Sequence, residues 1–383
     1  MTTNAIPDDV LELIFLRLDS PLCLLSAATT CKQWRRIVAG AGFLRRFHSF
    51  NGPPPVAGIY YDRPCHPRQR PDLVVSPWVD IDGRFFSLDF LPDSQISPWV
   101  WRIQDSRGSL LLFDRLRHPQ GSASYGHIVI CEPLTRRYEI VDPLARFKGY
   151  SFSNAYLIDG ESGGIGIENF RVVFRLHVRG IHSDAGMFTM GINRQQSWRK
   201  ISINELMRNA GPSSELIPSC VYWFNLGRAV TALDRRTGEF SSILLPEVDD
   251  WDYHKEMYDL VVTAGHDGTA RIVLSGASGD LMVFARLQSS GEWALAKRIR
   301  LSTVIHDLPG YDPWFFFSES ALVCSAGTPV ILLSPWRMKK WWFYLDVDTT
   351  EVAPAPDPDV ATAYPCELPW PPTLHACTSG LDV

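Results

Sequence analysis

Val230-Thr231-Ala232-Leu233-Asp234-Arg235-Arg236-Thr237-Gly238-Glu239-Phe240-Ser241-Ser242-Ile243-Leu244-Leu245 is the stretch from which the fold can be read. An apolar run, Val230 to Leu233, meets a polar turn at Arg236 to Glu239. An aromatic, Phe240, then opens a second run with Ile243 and Leu245. Strand, Gly-containing turn and strand spell a β-hairpin.

The same unit recurs on both sides. Ile128 to Ile130 precedes the turn Thr135-Arg136-Arg137, then Tyr138 and Ile140. Phe188 to Ile192 precedes Gln195-Gln196-Ser197, then Trp198, Ile201 and Ile203. Leu281 to Phe284 precedes Ser289 to Glu292, then Trp293, Leu295, Ile299 and Leu301. Trp342 to Val347 precedes Asp348 to Glu351, then Val352. Phe85-Phe86-Ser87-Leu88 reads as the start of a degenerate first copy. The residues opening the second strand, at 138, 198, 240, 293 and 352, are spaced by 60, 42, 53 and 59. A period of about 50 residues is that of a four-stranded propeller blade. Each blade hides its faces on its neighbours, so several must stack. Gly265-His266 is followed by no Trp-Asp at the distance a WD repeat needs. The pattern therefore predicts a kelch-like β-propeller of about six blades over 73–383, with a pair of β-sandwiches as the rival. Pro53, Pro54, Pro55, Pro64, Pro67 and Pro71 mark 49–72 as linker or loop, with a strand over 56–61 still open.

The N-terminal fifty residues follow another rule. Pro7 suits a first helical position, and Asp8 and Asp9 suit a helix N-terminus. Leu11, Ile14, Phe15 and Leu18 form an i, i+3, i+4, i+7 stripe, while Val10, Leu13 and Leu16 are apolar but point elsewhere. Ser20-Pro21 starts a second helix over 22–28, and 31–38 suits a third, ended near Gly40 and Gly42. A helix apolar on most of its circumference must be covered on more than one side. About 45 residues cannot do that alone. Packing onto the rest of the chain and docking on another protein explain the pattern equally well.

Composition narrows the function. The chain has 383 residues, 37 basic and 42 acidic, with a formal net charge of −5. That balance, with scattered basic pairs, argues against an electrostatic nucleic-acid binder. No apolar run is long enough to cross a bilayer as a helix, and Asp8, Asp9 and Glu12 argue against a secretory signal. The eight cysteines lie at least eight residues apart, so zinc-type Cys-x-x-Cys pairs are absent and reduced thiols are expected. The histidines show no metal-binding spacing, and no cofactor is expected. Gly160-Glu161-Ser162-Gly163-Gly164 formally matches a nucleophile elbow, but Val172, Phe174, Leu176 and Val178 alternate as a strand where a helix is required.

Residues 4–48 carry a resemblance. Ile6-Pro7-Asp8-Asp9-Val10-Leu11, Ile14, Leu18, Leu24-Leu25 and Cys31-Lys32-Gln33-Trp34-Arg35 resemble an F-box, with Ile6 in place of Leu and Thr30 in place of Val. Cys131-Glu132-Pro133-Leu134-Thr135, Ala232 to Phe240, Gly291-Glu292-Trp293 and Cys366 to Pro372 resemble the propeller-like C-terminal regions of plant F-box proteins. The resemblance implies a multidomain chain, α plus all-β: a small three-helix F-box at 4–48 followed by the propeller. It implies docking on the Skp-type adaptor of a cullin–RING ubiquitin ligase, with Ile6, Pro7, Leu11, Ile14, Leu18, Cys31 and Trp34 at or beside the interface. The chain would be a non-catalytic substrate-recognition subunit, cytoplasmic or nuclear, holding an unnamed protein target. The alternatives are a propeller enzyme, oxidase or hydrolase, and an F-box scaffold outside ubiquitination. Target specificity would come from rim loops, foremost Asp250, Trp251, Asp252 and Tyr253, where acidic side chains flank aromatic anchors.

Overall fold

A computed structural model describes residues 6–18, 21–38, 40, 42–43, 46–47, 50, 56–62, 71, 73–76, 82–92, 99–117, 125–178, 182–191, 194–203, 206, 215–217, 219–224, 229–246, 260–267, 269–275, 280–287, 292–312, 321–325, 329–335, 341–355 and 362–368. Among the described residues the chain opens with α1 (Asp8–Phe15), α2 (Pro21–Thr30) and α3 (Lys32–Val38), and residues 42, 43, 46, 47 and 50, beyond the expected end of the third helix near Gly40 and Gly42, are helical too. Strands dominate the rest. In chain order they are β1 (Val56–Asp62) and β2 (Leu73–Val75), then β3 (Trp99–Arg107), β4 (Leu110–Arg117), β5 (Tyr125–Glu132) and β6 (Arg137–Val141). The next four are β7 (Ser151–Asp159), β8 (Phe170–Val178), β9 (His182–Gly191) and β10 (Gln195–Ser202). They are followed by β11 (Glu215–Leu216), β12 (Cys220–Phe224), β13 (Ala229–Asp234) and β14 (Phe240–Leu244). Then come β15 (Leu260–Ala264), β16 (Ala270–Ser275), β17 (Asp280–Arg286) and β18 (Trp293–Arg300). The last are β19 (Ala321–Ser325), β20 (Val330–Pro335), β21 (Trp342–Asp346), β22 (Val352–Ala355) and β23 (Thr362–Glu367).

Among the described residues these strands make five four-stranded sheets, each a run of consecutive strands from β3 to β22. A sixth, three-stranded sheet has the order β2-β1-β23. The chain divides into two compact units: Met1–Phe174 with Met187–Arg199 and Thr362–Val383, and Arg175–Gly186 with Lys200–Ala361.

In the first unit, β1 lies between β2 and β23, antiparallel to both. Ala57 and Tyr60 on β1 are buried in one core with Phe86, Ile103, Phe113, Cys131, Tyr364 and Cys366. The strand left open over 56–61 within the Pro-rich stretch is thus formed, as the central strand of its sheet, because the Val-Ala-Gly-Ile-Tyr-Tyr run is apolar enough to be buried despite its Pro-rich flanks. Gly58 is required there, since a Cβ would meet the Val74 carbonyl oxygen at 2.4 Å. Phe85 to Leu88 does not begin a strand. Asp82 accepts a hydrogen bond from the Arg84 amide at 2.9 Å and starts a 3-10 turn over Gly83–Phe86, and the Tyr60 hydroxyl donates to the Phe86 carbonyl at 2.6 Å. Another correction concerns Gln195, Gln196 and Ser197, expected to be a turn. They lie in β10, after Arg194 at φ 59°. Polar residues suit a solvent-facing outer strand as well as a turn. Trp198 itself packs edge-on against Phe188 at 4.9 Å and Phe147 at 5.9 Å.

In the second unit, the hairpin recurrence has one physical cause. Asp234 Oδ1 accepts from the Arg236 and Thr237 amides, both at 2.8 Å. Asp346 Oδ1 accepts from the Asp348 and Thr349 amides at 2.8 and 2.9 Å. The Asp carboxylate folds the backbone into an Asx turn, and the chain then needs a left-handed residue to re-enter the ladder. Gly238 supplies it at φ 76° and Thr350 at φ 67°. Among the described residues, one core of this unit gathers around Tyr222, Ile272 and Phe284 and another around Val283, Leu333, Phe343 and Leu345. Asp348 joins two of its sheets. It accepts from the His266 amide at 2.7 Å and from Arg271 Nε at 3.1 Å, and its carbonyl accepts from Lys297 Nζ at 2.6 Å.

Candidate functional site

The helical domain builds its core from Leu11, Phe15, Leu16, Leu24, Ala28, Val38, Phe43 and Phe47. Trp34 is half-buried and meets Phe15 edge-on at 5.1 Å, and Leu18 also packs on this core. Helix α1 is only eight residues long, so it can commit one side inward, and that side is set by the i, i+4 pair Leu11 and Phe15. Leu11 is 2% exposed. Ile14, expected on the same stripe, is instead 47% exposed, beside Leu13 at 57% and Val10 at 41%. Val10, Leu13 and Ile14 stand at i, i+3, i+4 and so share one outward face of the helix.

Ile6 and Pro7 enter that face from the N-terminal side, and both are exposed. Their position is fixed from α3. Gln33 Nε2 donates to the Ile6 carbonyl at 3.2 Å and to Asp8 Oδ1 at 2.8 Å, while Arg36 donates to Asp8 Oδ2. The Gln33 hydrogen bond holds the Asp8 carboxyl below its ordinary range, with Arg36 adding to it. Arg46 pairs with Glu12, one turn further along the same side of α1 as Asp8. Cys31 is exposed between α2 and α3. Exposed Ile6, Pro7, Val10, Leu13, Ile14 and Cys31 thus sit on a small domain whose own core is closed by other residues. Burying a Val, Leu or Ile side chain is worth about 1.5–3 kcal/mol each when complete, so this face can hold a partner without polar chemistry. Val10 and Leu13 were legible as apolar residues off the inward stripe, and that was their signal.

Asp250, Trp251, Asp252 and Tyr253 lie outside the described residues. Ser162 sits exposed in the loop that joins β7 to its hydrogen-bonded neighbour β8, not at a strand-to-helix turn. Asn169 shapes this loop by donating from Nδ2 to the Gly163 carbonyl at 3.1 Å. Among the described residues no three His, Cys, Asp or Glu side chains are grouped to hold a metal ion.

Residues 3–50 match the F-box-like family, so the chain carries an F-box-like domain at its N-terminus. No curated protein matches the chain. Among solved structures, the Dos1 propeller aligns at 12% identity with a TM-score of 0.35, over 65% of this chain and 58% of that one. The chain therefore spans less than two thirds of that neighbour.

Proposed function

We propose that this chain is the substrate-recognition subunit of a Skp–cullin–F-box ubiquitin ligase. Its F-box-like domain docks on a Skp-type adaptor through Ile6, Pro7 and Ile14, bordered by Cys31, while Leu11, Leu18 and Trp34 support that surface from the core side. The six sheets act as blades of a kelch-like β-propeller that holds a protein target, with Asp250, Trp251, Asp252 and Tyr253 among its contacts. The chain makes no covalent bond. It raises the effective concentration of the target near ubiquitin-loaded enzyme. The cytoplasm or nucleus is the setting for such a subunit.

The observation that carries this reading is the F-box-like match over the same residues whose apolar side chains stand outside a completed helical core. Affinity purification tests it. Recovery of a Skp-type adaptor together with a cullin supports the ligase. An adaptor without a cullin supports a scaffold, and neither would leave the propeller-enzyme alternative.

A further inference from the structure

Helix α1 and the turn that follows it carry Asp8, Asp9, Glu12 and Arg17. Two of these charges are used within the domain: Asp8 is held by Gln33 and Arg36, and Glu12 by Arg46. Arg17 differs. It is exposed, and among the described residues its side chain has neither an ion pair nor a hydrogen bond. Asp9 has none either, but it stands in the first turn of α1, where a negative charge suits the helix N-terminus.

The backbone path decides where Arg17 stands. The Leu16 amide donates to the Glu12 carbonyl at 3.0 Å and the Arg17 amide to the Ile14 carbonyl at 3.1 Å, so the helical course runs on past Phe15. Arg17 therefore follows Val10 at i+7, Leu13 at i+4 and Ile14 at i+3. Those are the exposed apolar residues of the outward face, and Arg17 closes their stripe with a cation. Successive turns of a helix are about 5.4 Å apart, so a surface that fully covers Leu13 and Ile14 also reaches Arg17. Covering a charge without a counter-charge is strongly unfavourable. A carboxylate resolves this, because the guanidinium fork matches it in bidentate geometry while the aliphatic stem lies along apolar surface.

We infer that Arg17 is a specificity residue of the docking face and pairs with an Asp or Glu carboxylate on the Skp-type adaptor. This rests on the reading of the helical domain as the adaptor-docking domain. It adds the chemistry the adaptor must present, an apolar surface that ends in an acid. An adaptor with a base at that place is rejected by like-charge repulsion.

The test uses the full chain and a purified Skp-type adaptor, with affinity measured at about 0.05 M and about 0.5 M salt, since the higher value screens an exposed ion pair. At low salt Arg17→Ala should weaken binding about threefold to fivefold, the worth of one exposed pair. Arg17→Glu should weaken it about tenfold or more, because two like charges then meet. Both losses should shrink at high salt, and both variants should melt with the wild type. Three results would overturn the inference: wild-type affinity in Arg17→Glu at low salt, a loss of equal size at both salts, or a loss accompanied by a lower melting temperature, which would make Arg17 a support for the helix end instead. A wild type that binds no Skp-type adaptor at either salt overturns the ligase reading together with this inference, whereas undiminished binding by Arg17→Glu overturns the inference alone.

Discussion

The Tyr364 hydroxyl donates to the Ile103 carbonyl at 2.7 Å, a bond between residues 261 positions apart. Both groups are buried, and the ring of Tyr364 belongs to the core that also holds Tyr60 and Phe86. Tyr364→Phe keeps the ring and deletes the donor, so it should cost about 1 kcal/mol, with more if the carbonyl is left poorly solvated. Urea denaturation should show a lower midpoint with an unchanged slope. An unchanged midpoint would mean that water replaces the hydroxyl.

The exposed and buried faces of α1 predict different fates for two similar substitutions. Ile14→Asp places a charge on an exposed position, so the domain should keep its fold and lose its adaptor. Leu11→Asp places a carboxylate in the core at a cost of several kcal/mol, so the helical domain should unfold. Circular dichroism together with adaptor binding separates the two. Adaptor binding by a folded Ile14→Asp protein at wild-type strength would place the docking surface elsewhere.

Thr350 occupies the left-handed position that Gly238 fills in the sister hairpin. A left-handed L-residue costs about 1–2 kcal/mol, and glycine gives part of that back through its freer unfolded chain. Thr350→Gly should therefore stabilise by about 0.5–1 kcal/mol. Gly238→Thr should destabilise. Thermal melts of both variants check the sign, and stabilisation by Gly238→Thr would break the analogy.

Asp267 is held to about 2 by the Thr269 amide and hydroxyl and by Arg271. Its folded-state pKa is depressed, so the stability it contributes is present above its ordinary value of 3.8 and is lost as the pH falls towards about 2. The side chain is 44% exposed, so the effect should stay within about 1 kcal/mol. Asp267→Asn should melt below the wild type at pH 6, and the two curves should meet by about pH 2. A gap that persists at acid pH would mean that the loss is steric.

What was legible in the sequence was local. Asp234 through Phe240 and Asp346 through Val352 announce hairpins because the turn is made by one carboxylate and two amides a few residues away. Pairing between β1 and β23 leaves no such trace, since neither strand's pattern names its partner. The 3-10 turn at Gly83–Phe86 was hidden for the opposite reason: Phe85-Phe86 looks like a strand, and the capping Asp82 decides otherwise. On α1, apolar residues on every side allow more than one inward stripe, so the period could not tell that Ile14 faces out while Leu16 faces in.

The pairing of β1 with β23 also sets a timetable. During synthesis β1 emerges roughly 300 residues before β23, which at about 5–20 residues per second leaves it waiting some 15–60 s for its partner. Throughout that interval one side of β1 and the apolar faces of Ala57 and Tyr60 lack the strand that covers them in the finished protein. Joining the two strands then closes a loop whose entropy cost is on the order of 5 kcal/mol, so the sheet should be among the last to form. A nascent or prematurely stopped chain is thereby marked by an open strand edge, the kind of feature that chaperones and proteases recognise.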